Sequence, residues 1–141
     1  MLRRLRRRLR HPIPEIVVVA CLAAYVEVGL RRWTLPELSR RLHVRMDLSS
    51  DAGPVPEQIV LPSGAKGSIR AVDRVLTRWP WGDTCLRRAL LLGHRLSWLD
   101  PTLRIGVRRA GDGRIGAHAW LEIGGHSIDP EAAEFVAFGA A

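Results

Sequence analysis

Cys85 stands where a cysteine thiol could act as a nucleophile. Only the thiolate attacks carbonyls efficiently, and the ordinary thiol pKa of about 8.5 leaves little thiolate at neutral pH. Asp83 or Thr84 can cap a helix that begins here, which places Cys85 in its first turn. The unpaired N–H groups and the dipole of a helix start favour negative charge, and those N–H groups could also receive an oxyanion. The alternative is that Cys85 is a small core residue at the head of an apolar helix.

A predicted hairpin puts a histidine and a carboxylate on one face of a sheet. The pair Gly124-Gly125 is typical of a two-residue turn, and this turn would set Trp120 opposite Asp129. Since opposed residues and residues two apart on a strand share a face, Asp129 becomes the diagonal neighbour of His118, at a backbone distance of about 7–8 Å. A carboxylate there would orient the imidazole and stabilise the imidazolium. The pattern predicts a catalytic triad of Cys85, His118 and Asp129, and a register slip of one residue would remove Asp129 from it.

Other histidines and a metal site are the competing interpretations. In the same register His126 faces Ile123 and points away from His118, as an exposed turn residue would. His94, inside the Cys85 helix, is predicted to be a packing or surface residue. A metal site built from Cys85, His118, His126 and Asp129 remains an alternative. Because the sequence has no Cys-x-x-Cys or His-x-x-x-His pair, we expect neither a metal nor a cofactor.

The elements that would position these residues are helices first and strands second. Residues 1–46 form a predicted N-terminal helical segment, with a helix start at residues 34–37. Residues 47–67 are rich in Pro and Gly and indicate a loop or linker. Residues 68–141 would form the core, with a helix at 68–78, the Cys85 helix, and alternating strands near 103–107 and 117–123. We therefore predict one α+β domain, with the nucleophile helix packed on a small antiparallel sheet.

The chain is strongly basic, with a formal net charge of +8 and Lys66 as its only lysine. Such a charge favours an acidic partner, which could be a nucleic acid, an anionic membrane surface or an acidic peptide. The two cysteines, Cys21 and Cys85, do not define a disulfide framework, so we expect free thiols in a cytoplasmic protein. A single disulfide between them is the alternative, and it would leave no free nucleophile.

The N-terminal region combines an arginine-rich run with an apolar stretch. Residues 1–10 carry leucines at helical spacing, and the eleven apolar residues 16–26 fall short of the roughly 20 that span a bilayer. A signal peptide is one alternative, since residues 18–21 are similar to a lipoprotein cleavage box. The low leucine content and the lack of a disulfide set argue against export. We expect a core helix with a basic lead-in, and peripheral membrane contact as an alternative to a purely cytoplasmic location.

Together, three segments carry a resemblance to a known family. Residues 81–90 have the sequence WGDTCLRRAL, which resembles the nucleophile helix of the lasso-peptide leader peptidases, transglutaminase-like cysteine proteases of lasso-peptide biosynthesis. The segments IGVR (105–108) and AHAWLE (117–122) are similar to the family's histidine strand, and SID (127–129) falls where the family has its aspartate. The resemblance covers residues 79–129, and the N-terminal helices agree only in general character.

The resemblance implies a papain-like acyl-transfer core that removes the leader from a ribosomally made precursor peptide. In that family a separate or fused recognition domain binds the leader, and an ATP-dependent cyclase later closes the ring. Since no winged-helix recognition module is visible in these 141 residues, we expect a stand-alone peptidase that depends on a partner protein, with the cyclase as a further partner. A transglutaminase-like acyl transferase and a non-enzymatic basic binding module are the alternative functions, and we expect no nucleic acid.

Overall fold

The computed structural model describes residues 14–49 and 59–137. Its first part contains α1 (Glu15–Arg32), α2 (Leu35–Arg41) and β1 (Arg45–Met46). Its second part contains the helices α3 (Ser63–Thr77) and α4 (Cys85–Arg95) and the strands β2 (Thr102–Arg109), β3 (Ile115–Ile123), β4 (His126–Ser127) and β5 (Val136–Ala137). Two 3₁₀ turns, Ser97–Leu99 and Pro130–Glu134, complete the order.

One hydrophobic core joins the helices to the sheet. Buried residues of α1 recur at helical spacing, as Val19, Ala23 and Val26 show, and this face packs against α3 and α4. The helix α4 packs in turn on β3. Gly93 of α4 allows close packing, because a Cβ there would lie 2.9 Å from the side chain of Val44 and 3.4 Å from that of Leu121 in β3. The N-terminal helices therefore share one core with α3, α4, β2 and β3.

Two ion pairs hold α1 and α4 antiparallel to each other. Glu15, at the start of α1, accepts a hydrogen bond of 2.8 Å from Nε of Arg95, the last residue of α4. Glu27, in the last third of α1, accepts one of 2.9 Å from Nε of Arg87, in the first turn of α4. Because the order of the partners is reversed along the two helices, the pairs set an antiparallel arrangement. They also hold the first turn of α4, where Cys85 lies, against α1.

The sheet has the order β1-β2-β3-β4, and β5 also pairs with β2. The long antiparallel pair β2–β3 occupies one edge of β2, so β1 and β5 lie along its other edge. The pairing of β1 with β2 is parallel, so the sheet is mixed, and the prediction of an antiparallel sheet holds for the pairs β2–β3, β2–β5 and β3–β4. A two-residue strand offers no alternation of apolar and polar residues from which to predict it. The α+β class, with the Cys85 helix packed on the sheet, is confirmed.

Other differences concern the ends of the elements. The helix α3 begins at Ser63, inside the predicted loop of residues 47–67, because Pro62 precedes its first turn and Ala65 is fully buried in the core. That packing outweighs the poor helix propensity of Gly64 and Gly67. Thr34 precedes α2 as predicted, but its side chain makes no capping hydrogen bond. The predicted amphipathic run 1–10 lies outside the described residues.

The apolar stretch 16–26 lies within α1, as expected for a core helix. Among the helices that the structure describes, none combines the length and the apolarity needed to cross a bilayer.

Candidate active site

Cys85 is the first residue of α4, as the capping pattern predicted. Thr84 adopts an extended conformation, and its Oγ1 accepts a 3.3 Å hydrogen bond from the backbone N–H of Arg87. This bond satisfies one N–H of the first turn, whereas helix geometry supplies no partner for those of Cys85 and Leu86. The Cys85 thiol is free and half-buried. The helix start therefore presents a thiol beside N–H groups that can stabilise a negative charge.

Arg87 fastens the start of α4 to α1. Its Nε and Nη2 donate to the two carboxylate oxygens of Glu27 at 2.9 and 3.2 Å, and its Nη1 donates to Thr84 Oγ1 at 3.3 Å. Hydrogen bonding to Arg87 lowers the pKa of Glu27, and the charges of Arg87 and Arg31 add to this effect. The same guanidinium thus contacts the cap of the Cys85 helix and the counter-ion on α1. Sequence reasoning missed this ion pair, because Glu27 and Arg87 lie 60 residues apart.

The hairpin between β3 and β4 has the predicted register. Ile123 pairs with His126, and Gly124 and Gly125 both have positive φ values, 59° and 81°, which a type I′ turn requires. The prediction that this register would bring His118 and Asp129 together is confirmed. His118 Nε2 and Asp129 Oδ2 are 2.7 Å apart.

Hydrogen bonds hold both the backbone and the side chain of Asp129. Ser127 Oγ accepts from the Asp129 N–H at 3.0 Å and donates to its carbonyl oxygen at 2.9 Å. The Asp129 Oδ1 atom accepts from the N–H of Glu131 at 2.9 Å, so Asp129 also caps the 3₁₀ turn Pro130–Glu134. One carboxylate oxygen thus binds the turn while the other binds His118.

Aromatic rings pack beside the imidazole of His118. The ring of Phe135 is stacked at a centroid distance of 4.7 Å, and that of Trp120 at 6.1 Å. The guanidinium of Arg108 lies 4.9 Å from the centre of the Phe135 ring and forms an ion pair with Glu134. His118 is consequently only 11% exposed. Sequence reasoning placed Trp120 on the histidine's face but missed Phe135, which no periodic pattern connects to this strand.

A cleft of about 500 Å³ brings the three predicted residues together. Cys85, His118 and Asp129 all line it, over a largely aliphatic wall of Leu61, Ile69, Ala89, Leu92, Leu121 and Ile128. Within the described chain, Cys85 and His118 share this cleft without a direct hydrogen bond between them. Catalytic hydrogen bonds are often long in unliganded sites and tighten when substrate binds.

Charged side chains line the same cleft. Arg88, one turn after Cys85, is bonded to both Asp73 and Asp83. Burial alone would lower the pKa of Arg88, but the two carboxylates outweigh it and raise that pKa. Glu131 lies at the cleft beside Asp129. The cleft thus combines an apolar wall with charged and polar side chains.

The other histidines have different positions. His94 Nδ1 lies 2.9 Å from the carbonyl oxygen of Leu42, which fits the predicted packing role. His126 is half-buried rather than exposed, and its Nδ1 has no hydrogen-bond partner among the described residues. The expectation of an exposed turn residue was therefore wrong, because Ile123, which faces His126, lies at the buried end of β3.

The residues proposed for a metal site do not assemble as that alternative required. In the described part of the chain, the cluster with suitable spacing is His118, Asp129 and Glu131, whose donor atoms lie within 4.8 Å of one another. It contains neither Cys85 nor His126. The hydrogen bond between His118 and Asp129 already accounts for the closeness of two of its members.

Comparison with known families gives one match. Residues 22–139 match the family described as transglutaminase-like superfamily, which is most of the chain. The chain belongs to the transglutaminase-like superfamily. The match begins inside α1 and therefore includes the larger part of α1 and all of α2 as well as residues 68–139. Membership fits a cysteine peptidase or acyl transferase. Comparisons with curated proteins and with solved structures gave no significant match.

Proposed function

We propose that this protein is a cysteine peptidase that removes the leader from a lasso-peptide precursor. The observation that carries the proposal is the shared cleft of Cys85 and the His118–Asp129 pair, whose Nε2–Oδ2 distance is 2.7 Å. Superfamily membership supports cysteine-dependent acyl chemistry. The resemblance of residues 79–129 to the lasso-peptide leader peptidases supports the substrate class. A separate leader-recognition protein and an ATP-dependent cyclase are the partners that this function implies.

The hydrogen bond of His118 decides which ring nitrogen would accept the thiol proton. Because Nε2 is bonded to Asp129, Nδ1 is the nitrogen available to Cys85. Asp129 would keep the proton on Nε2 and stabilise the imidazolium once Nδ1 is protonated. Substrate binding would draw the thiol and Nδ1 together, since no direct hydrogen bond joins these two described residues.

The reaction would proceed through a thioester. Cys85 Sγ attacks the carbonyl carbon at the leader–core junction, and its proton passes to His118 Nδ1. The N–H groups of Cys85 and Leu86 would receive the oxyanion. The C–N bond then breaks, and His118 returns the proton to the leaving amine of the core. Water, deprotonated by His118, hydrolyses the thioester and gives the leader carboxylic acid and free Cys85. The core amine that is released is the group that ring closure requires.

The decisive experiment incubates the protein with a precursor peptide and its leader-recognition protein, followed by mass spectrometry. We expect two fragments whose masses sum to precursor plus one water. Cys85→Ala should abolish cleavage, whereas Cys21→Ala, which removes the exposed thiol on α1, should leave it intact. His118→Ala should abolish cleavage, whereas His126→Ala in the same hairpin should retain it. Cleavage by Cys85→Ala or His118→Ala would refute the assignment.

The same experiment separates hydrolysis from acyl transfer. An acyl transferase would join the leader acyl group to an added primary amine. The masses of its two products would then sum to precursor plus the amine, and neither product would contain an oxygen atom from water. Two hydrolytic fragments in the presence of such an amine would support the peptidase.

Alkylation of Cys85 tests for an enzyme without any substrate. In the Cys21→Ala background, iodoacetamide reports on Cys85 alone. We expect fast modification at pH 7 that slows about tenfold or more in His118→Ala, because loss of the base removes thiolate. Equal rates in the two proteins would favour the non-enzymatic basic binding module.

A further inference from the structure

The outward face of α1 is apolar and cationic, and its residues are not among those that line the cleft. Its exposed residues are Val17, Cys21, Ala24, Tyr25, Val28, Arg31 and Arg32. At 100° per residue they fall within an arc of about 120°, so they form one continuous stripe along the helix. Contiguous apolar stripes are uncommon on the surface of a monomer and mark interaction sites.

No acidic side chain interrupts this stripe. The two glutamates of α1 are turned inward: Glu15 binds Arg95, and Glu27, only 8% exposed, binds Arg87. Arg31 shares Glu27 with Arg87 and remains 58% exposed, so these three residues carry a net positive charge. The sequence adds six arginines in residues 1–10, just before α1.

One aromatic side chain lies at the edge of the stripe and another lies beside it. Tyr25 is 40% exposed and stacks on Trp33 at 5.6 Å. Trp81 is 50% exposed, and the Arg31 guanidinium lies 5.1 Å from the centre of its ring. Tyrosine and tryptophan, with an apolar body and a polar edge, are the residues that concentrate at the membrane–water boundary. Trp81 also lies four residues before Cys85, so this surface adjoins the segment that leads into the nucleophile helix.

We propose that this stripe binds the surface of an anionic lipid bilayer. Small aliphatic side chains can enter the boundary between headgroups and acyl chains, while arginines pair with lipid phosphates, as in other interfacial helices. A flat lipid surface demands no matching shape. The stripe offers a protein partner few polar side chains for specific hydrogen bonds, and this favours lipid over protein as its occupant. The proposal does not depend on the peptidase function.

Vesicle flotation with the full-length protein tests it. We expect partition into vesicles of phosphatidylcholine with phosphatidylglycerol to exceed partition into phosphatidylcholine alone by about tenfold or more, and to weaken as salt rises. The double substitution V17D/V28D should reduce binding to anionic vesicles by about tenfold or more. The matched control V60D/I115D adds the same charge at exposed positions outside α1, of 92% and 68% exposure. Its binding should change by no more than about threefold. Cys85→Ala should bind as the wild type does.

Circular dichroism and thermal melting establish that each variant is folded. Absence of anionic-vesicle binding by the wild type would overturn the proposal, as would equal losses in the two double variants. Two other results would show that a protein covers the stripe. One is a wild-type dimer that V17D/V28D converts to a monomer. The other is that V17D/V28D no longer binds the leader-recognition protein but still binds anionic vesicles.

Discussion

Glu27→Gln should be among the most destabilising of the near-isosteric substitutions in the helices. The side chain of Glu27 is 8% exposed, and its oxygens accept three hydrogen bonds, two from Arg87 and one from Arg31. Glutamine has nearly the same shape, but it replaces one acceptor oxygen with a donor NH₂ and removes the charge. Arg87, whose side chain is 17% exposed, would then keep its positive charge without its main counter-ion.

The size of the effect follows from that burial. Removing one partner of a buried ion pair costs about 3–5 kcal/mol, and exposed pairs contribute about 0.2–1 kcal/mol. Arg87 is mostly but not fully buried, and the glutamine oxygen can still accept one hydrogen bond. We therefore expect a loss of about 3 kcal/mol in the free energy of unfolding, or about 6–12 °C in Tm at this chain length.

Urea denaturation at several pH values measures this effect. Hydrogen bonding to Arg87 lowers the pKa of Glu27 in the folded protein, so its stabilising effect is present above the unfolded value of about 4.3. It is lost as the pH falls through the lower folded value, where the protonated carboxyl resembles glutamine. The difference between the wild type and Glu27→Gln should thus be largest near pH 7 and narrow in acid.

Glu37→Gln is the matched control, because Glu37 pairs with Arg41 in an exposed i,i+4 arrangement at 2.9 Å. It should cost less than about 0.5 kcal/mol. The reasoning fails if the two variants lose similar stability, or if the deficit of Glu27→Gln stays constant from pH 7 into the acid range.

Three further predictions concern the site and its support. Asp129→Asn should lower kcat/KM for precursor cleavage by about 10²–10⁴-fold with little change in Tm, because the wrong imidazole tautomer would be favoured; a loss below threefold would remove Asp129 from the triad. Ser127→Ala removes two hydrogen bonds that hold Asp129, so its kcat/KM should fall between those of the wild type and Asp129→Asn, and a value below that of Asp129→Asn would contradict this positioning role. Gly106→Ala should destabilise the protein by about 1–3 kcal/mol in urea unfolding, since the new Cβ would lie 2.6 Å from the Val136 carbonyl oxygen; an unchanged midpoint would show that β5 shifts freely.

The sequence predicted the site more completely than its surroundings, because two local signals define the site. A capping residue before an apolar helix placed Cys85 in a first turn, and a two-glycine turn fixed the register that joins His118 to Asp129. Both signals act over a few residues. The catalytic roles themselves stay a prediction.

The features that sequence reasoning missed depend on contacts distant along the chain. In the sequence, Glu27 is only the polar residue that ends an apolar run. Its contact with Arg87 forms only in the folded protein. Phe135 stacks on His118 only after the chain has passed through the 3₁₀ turn. The start of α3 at Ser63 was not predicted, because two glycines in this segment have poor helix propensity. The burial of Ala65 outweighs that propensity in the folded protein.

The two carboxylate oxygens of Asp129 couple the 3₁₀ turn Pro130–Glu134 to His118. A peptidase that stayed active while partly opened would cut polypeptides indiscriminately, since a loosened cleft selects poorly. Here, peeling the 3₁₀ turn Pro130–Glu134 away from the sheet would disturb the same carboxylate that orients His118. If the protein is the peptidase proposed above, a local opening would stop hydrolysis well before the whole domain unfolded.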